Sequence, residues 1–179
     1  MPGSDLAAKL ITPEYLADQV WLHGRGGDYG RSGDKWASTI ESLVRNMRMD
    51  SVLDYGCGKG ALGVALRAKG ITCREYDPAI PGKDMLPEAA DMVACTDVLE
   101  HVEPACIDAV LDHLCGLARK TMFLTVSTRL AGKTLPDGRN AHILLQHEGW
   151  WRFQLERRGF RPIQHWPTHD GEWVAVLRC

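Results

Sequence analysis

No stretch of this 179-residue sequence stays apolar long enough to cross a bilayer, and the opening Met1-Pro2-Gly3-Ser4-Asp5 lacks a basic segment followed by an apolar one. The expectation is a cytoplasmic protein. Cys-x-x-Cys pairs are missing as well: Cys57, Cys73, Cys95, Cys106, Cys115 and Cys179 are scattered, several inside apparent strands or helices. This argues against a disulfide framework or a zinc knuckle and for small buried apolar residues. An excess of positive charge is lacking too, the formal net charge being -2, so a broad footprint for duplex nucleic acid is not expected. No internal repeat is apparent. With 45% hydrophobic and 25% charged residues the composition is that of an ordinary globular protein. The length suits one domain with a sizeable core and leaves too little chain for separate cofactor and substrate domains.

What is present is concentrated in Val52-Leu53-Asp54-Tyr55-Gly56-Cys57-Gly58-Lys59-Gly60. It reads as a buried strand ending in an acid, then a glycine-rich turn that opens a helix beginning Ala61-Leu62-Gly63. Gly56 and Gly58 bring no Cβ and reach backbone angles closed to other residues, so a ligand can lie against the main chain while the helix's free amides face it. A tight connection with no ligand is the bland alternative, and only context separates the two.

Two short helices are expected first, over residues 5–11 and 13–23, the second capped by Thr12 with Pro13 at its first position. A loop with five glycines and Tyr29 follows over residues 24–33. Asp34 is then expected to cap a helix whose buried face carries Trp36, Ile40, Leu43, Val44 and Met47. From Ser51 the pattern alternates, with strands over residues 51–55, 72–76, 92–96 and 122–126 and an apolar-striped helix over 104–120. That alternation favours a parallel sheet covered by helices on both faces. After a loop over residues 129–141 come a helix over 148–158, ended by Gly159, and a hairpin built from residues 162–166 and 173–177.

Three chemical features fall at strand ends, where ligands sit in open α/β sheets. The first is the 54–60 loop. The second is Asp77, followed by Pro78, placed where a carboxylate accepts both hydroxyls of a ribose. The third is Thr96-Asp97-Val98-Leu99-Glu100-His101-Val102. On these residues, over about 52–160, the chain resembles class I S-adenosylmethionine-dependent methyltransferases. The segment 97–101 is similar to the one after the fourth strand in the ubiquinone-biosynthesis type of small-molecule enzyme.

That resemblance implies a Rossmann-like three-layer α/β sandwich, a mostly parallel sheet with a C-terminal antiparallel hairpin. It implies S-adenosylmethionine as cofactor, with Asp54, Gly56, Cys57 and Gly58 bordering its methionine part, Asp77 and Pro78 at the ribose and Asp97 and Val98 on the floor. Residues 1–179 form one methyltransferase domain in this reading, residues 1–48 being a helical lid with its glycine loop and 49–179 the cofactor core. Only residues 78–90 separate the second strand's acid from the next strand, so the family's third strand is expected to be reduced or missing. Asp84 and Met85 then stand in for the adenine pocket.

Methyl transfer from a sulfonium is an in-line attack, so the protein supplies alignment and, where needed, proton removal. His101 leads as base and His142 follows, with His147 and Tyr29 behind them; a structural histidine is the plain alternative. Glu100, His101 and His142 also suit a divalent cation, in the manner of small-RNA 2′-O-methyltransferases with a Glu-x-x-Glu-His block; Asp97 replaces the first glutamate, and no metal is assigned. Arg25, Arg31, Lys35, Arg129, Lys133 and Arg139 can meet an anionic acceptor or be solvated loop charges. One of Trp150 and Trp151 is expected in the core and the other at the acceptor cleft. The acceptor expected is a small metabolite or sugar-like molecule bearing a hydroxyl or amine, the alternative being a nucleic acid. Two further readings are kept: Gly56-x-Gly58-x-x-Ala61 also satisfies a dinucleotide fingerprint, and a descendant that acts only by interaction would need neither the loop nor Asp77.

Overall fold

A computed structural model describes residues 2–25, 27 and 29–179. Gly26 and Asp28 of the expected glycine loop lie outside the described residues. The chain runs α1 (Pro2–Leu10), α2 (Pro13–Gly24), a 3-10 turn (Ser32–Trp36), α3 (Ala37–Asn46), β1 (Val52–Tyr55), α4 (Ala61–Ala68), β2 (Cys73–Tyr76) and β3 (Ala90–Thr96). A second 3-10 turn (Leu99–His101), α5 (Ile107–Leu117), β4 (Ala118–Ser127), α6 (Glu148–Glu156), β5 (Arg161–Pro167) and β6 (Glu172–Arg178) complete it.

The six strands form one sheet in the order β2-β1-β3-β4-β6-β5. β1 pairs in parallel with β2 and β3, and β3 with β4, whereas β6 runs antiparallel to both β4 and β5. The sheet is thus mostly parallel with an antiparallel C-terminal hairpin, and β2 is directly followed in the chain by β3, so the strand expected to be reduced or missing is absent among the described residues.

Strand geometry sends alternate side chains to opposite faces. Leu53, Val93, Cys95, Leu124 and Ala175 pack with α5 and α6 through Leu111, Leu114, Trp151 and Leu155. Val52, Met92, Ala94, Phe123 and Val174 pack with α3 and α4 through Ile40, Val44, Leu62 and Leu66. Every residue of β3 is buried, the signature of a central parallel strand covered on both sides. Four cysteines are buried, Cys115 is half-buried and Cys179 exposed, all of them free.

Some boundaries differ from the sequence expectation. Thr12 caps α2 as expected, accepting from the Tyr15 amide. Asp34 instead lies inside the first 3-10 turn, and α3 starts at Ala37 without a side-chain cap. The long central helix spans only Ile107–Leu117, because Ala118 already pairs with Ala90 of β3. Strand formation outweighs the helical preference of Ala118, Arg119 and Lys120, which open β4. Among the described residues no helix is long and apolar enough to cross a membrane.

Candidate active site

The ends of β1, β2, β3 and β4 open into one cavity of about 710 Å³, lined among others by Asp54, Gly56, Cys57, Gly58, Asp77, Pro78, Asp97, Val98, Glu100, His101 and His142. All but two of the residues expected at the cofactor or as the two leading bases are therefore brought together. The exceptions are Asp84 and Met85, which do not line the cavity; Met85 is 82% exposed. The chain after β2 turns back at once, the Asp77 amide donating to the Lys83 carbonyl, and carries both residues outward.

The glycine loop takes the conformation its sequence requires. Gly56, Gly58 and Gly60 all have positive φ. A Cβ on Gly56 would strike the Val98 side chain, and one on Gly58 would fall 2.6 Å from the Gly30 backbone. The N-terminal segment is thus seated on the loop, and the Lys59 amide donates to the Gly30 carbonyl at 2.8 Å. Asp77 spans the gap between β1 and β2: Oδ2 accepts from the Gly58 amide at 2.8 Å and Oδ1 from the Ala79 amide at 2.9 Å. Asp54 is buried with Oδ2 unpaired among the described residues. Burial, reinforced by Glu75, raises its carboxyl to about 7.

Asp97 has φ +56, an uncommon backbone state for a residue other than glycine. It is held from two sides, by Ser32 Oγ donating at 2.9 Å and Thr125 Oγ1 donating at 3.1 Å. Lys35 lies 3.4 Å away and also binds Glu172.

Next to it the second 3-10 turn presents Glu100 and His101. Glu100 is 1% exposed; Oε1 accepts from the Ser127 amide at 2.9 Å, while Oε2 has no partner among the described residues. Burial, and then Asp97, push its carboxyl up to about 8. His101 Nδ1 lies 2.8 Å from the Ala141 carbonyl and His142 Nδ1 2.6 Å from the Arg129 carbonyl. A carbonyl only accepts, so each Nδ1 carries the proton and each Nε2 keeps a free lone pair. Burial, and then His142, lower His101 to about 4, leaving it uncharged at neutral pH. One ligand atom from each of Glu100, His101 and His142 can be chosen with all three within 4.8 Å of one another.

Over this cluster lies Tyr29, edge-on to His101 at 5.7 Å and beside His23 at 4.8 Å. Its hydroxyl donates to Gln19 at 2.7 Å, and the Lys133 ammonium sits 5.3 Å from its ring. Tyr15, Gln19 and His23 of α2 line the same cavity. Sequence reasoning passed over all three, although their i, i+4, i+8 spacing was a usable signal. Nor does anything local in the sequence foretell the burial of Glu100.

The remaining candidates lie elsewhere. His147 caps α6, accepting from the Trp150 amide. Trp151 is fully buried, and Trp150 does not line the cavity, which corrects its assignment to the cleft. Arg139 pairs with Asp137 and Asp18, and Arg25 stacks on Trp21, so of the six loop cations only Arg129 and Lys133 reach the cavity.

No curated protein matches the chain in sequence. Among solved structures, 1,6-didemethyltoxoflavin-N1-methyltransferase of Burkholderia thailandensis, holding 1,6-didemethyltoxoflavin and S-adenosylhomocysteine, is similar over 98% of this chain and 89% of its own, with 18% identity and a TM-score of 0.65. Magnesium protoporphyrin IX methyltransferase of Synechocystis PCC 6803, with bound S-adenosylhomocysteine, matches 81% of this chain and 82% of its own at 20% identity and a TM-score of 0.59. The methyltransferase domain of the bacterial CtHen1-CN protein matches 82% and 98% at 15% identity and 0.59. At these identities the likeness is one of fold. The family model described as a methyltransferase domain matches residues 29–170, which takes in the glycine loop, Asp77, the Glu100 turn and the hairpin's first strand, and the chain belongs to that methyltransferase family.

Proposed function

We propose that this protein transfers the methyl group of S-adenosylmethionine to a hydroxyl or amine of a small-molecule acceptor. One observation carries the reading: the positive-φ glycine loop, the carboxylate at the end of β2 and a cluster of proton-accepting atoms after β3 open into a single cavity. In this reading Asp54, Gly56, Cys57 and Gly58 border the methionine part of the cofactor, Asp77 and Pro78 the ribose, and Asp97 and Val98 the floor beneath it. The structural neighbours that bind S-adenosylhomocysteine support the choice of cofactor. The sulfonium is already activated, so the chain's work is to align the acceptor and remove its proton. Glu100 Oε2 and the Nε2 atoms of His101 and His142 are the acceptors available, and the N-terminal segment through Tyr29 is the lid that excludes water. Calorimetric titration with S-adenosylhomocysteine tests this: binding is expected, and none at millimolar ligand sinks it.

A second reading keeps the cofactor and adds a divalent cation, since both histidines turn their lone pairs away from the carbonyls that fix them and Glu100 Oε2 is unpaired. One carboxylate and two imidazoles fit a borderline first-row cation. Such an ion would polarise the acceptor oxygen as a Lewis acid. It is the form the alternative nucleic-acid reading would take, for which the cavity offers only Arg129 and Lys133 as loop cations.

A further inference from the structure

α2 lays three uncharged polar side chains along one face, Tyr15, Gln19 and His23, and all three line the cavity. Tyr15 is 4% and Gln19 7% exposed. The Tyr15 hydroxyl, the Gln19 amide nitrogen and His23 Nδ1 have no hydrogen-bond partner among the described residues. Tyr15 sits beside Gln19, yet the contact falls short of a hydrogen bond. Buried polar groups in folded proteins are nearly always satisfied, so a row of buried orphans on residues that line a cavity marks where a ligand's polar atoms go.

The row is not explained by packing. The helix is already anchored by Leu22 and the Tyr15 ring, which pack with Leu135 and Ala141 of the loop after β4. Gln19 is also already fixed, because Oε1 accepts from Tyr29. Its amide nitrogen and the Tyr15 hydroxyl are both able to donate. The cavity lining also carries Asp97, Glu100 and Glu103, which disfavours an anionic ligand. Lys133, the ammonium on this side, rests on the Tyr29 ring. Tyr29, His101 and His142 add a set of ring edges and faces meeting at right angles, a wall suited to a flat partner.

We infer that the α2 row is the acceptor subsite and that it selects a flat, uncharged heteroaromatic molecule whose ring carbonyls accept from Tyr15 and Gln19. The inference rests on the methyl-transfer reading above. Its nucleophilic edge then points away from α2, toward Glu100, His101 and His142. Methyl transfer joins that nucleophile to the cofactor's methyl carbon as the carbon–sulfur bond breaks; the proton passes to the cluster and S-adenosylhomocysteine leaves.

The test titrates lumazine, an uncharged bicycle with two ring carbonyls, into protein saturated with S-adenosylhomocysteine, with quinoxaline as the carbonyl-free control. Lumazine is expected to bind and quinoxaline not to. Tyr15→Phe should weaken lumazine at least fivefold, leave S-adenosylhomocysteine affinity unchanged, and not lower the melting temperature of the ligand-free protein, since it removes a buried orphan. Equal lumazine binding by variant and parent overturns the subsite, as does failure of lumazine to bind the S-adenosylhomocysteine complex. A joint fall in melting temperature and cofactor affinity overturns it too, by showing a structural role. If S-adenosylhomocysteine itself does not bind the parent, it is the methyl-transfer reading that has failed.

Discussion

Gly30 lies against Gly58 so closely that a single Cβ on Gly58 would come within 2.6 Å of both the Gly30 Cα and its carbonyl oxygen. Two loops 28 positions apart in the chain are fitted to each other through the absence of side chains on both. Gly58→Ala should therefore release the N-terminal segment from the glycine loop, besides straining a backbone at φ +51. Faster limited proteolysis near residues 24–33 together with weaker S-adenosylhomocysteine binding is the expected result. An unchanged cleavage rate would mean that the segment is held by other contacts.

Asp77→Ala removes the acceptor shared by the Gly58 and Ala79 amides. We expect S-adenosylhomocysteine to bind more weakly by about 1–3 kcal/mol. Asp77→Asn keeps one carbonyl acceptor and should fall between the two. Titration calorimetry separates them, and equal affinity for all three proteins would remove Asp77 from the site.

The proton-acceptor reading predicts that Glu100→Gln lowers kcat with little change in cofactor affinity, and that activity survives a chelator. Elemental analysis and activity after chelation are the measurements. Loss of activity restored by added Mn²⁺ or Zn²⁺ would move the assignment to the cation reading.

Asp54 sets a pH dependence whose sign is fixed by its raised carboxyl. A group that holds its proton more tightly when folded stabilises the fold below its ordinary range, and the contribution fades as pH rises through about 7. Between pH 4 and 8 the loss from this residue is roughly 4 kcal/mol. Urea unfolding of parent and Asp54→Asn should give curves that diverge with rising pH, the variant becoming relatively more stable. Parallel curves would show that the buried carboxyl titrates normally.

In the core, Leu111 is wholly inaccessible and packs among the α5 and α6 contacts, so Leu111→Ala should cost about 2–5 kcal/mol. Val64, on the outer face of α4 and 62% exposed, should tolerate alanine within about 0.5 kcal/mol. Chemical denaturation of the two variants provides the comparison.

The sheet and the glycine loop were legible because their signals are local. Glycine at positions 56 and 58, an acid at the end of each early strand and alternating apolar runs do not depend on distant partners. The shortness of the 78–90 connection gave away the missing strand. What escaped depends on tertiary burial: Asp34 was misread as a cap because the turn holding it is set by Ser32 meeting Asp97 and Lys35 meeting Glu172, at separations of 65 and 137 residues. Trp150 and Trp151 could not be sorted by spacing alone. Glu100 and the α2 row acquire their meaning only when the loop after β4 folds over them, bringing Ala141 to His101 and Arg129 to His142.

The lost strand leaves β2 as the outermost rung of the sheet, where an unpaired backbone invites a neighbouring molecule to add itself. This rung is only four residues long and carries the charged residues Arg74 and Glu75, both of which blunt an edge. At the far border β5 carries Pro162 and Pro167, which have no amide hydrogen to offer. Trimming the sheet to six strands has thus been matched by guards on both margins against edge-to-edge polymerisation.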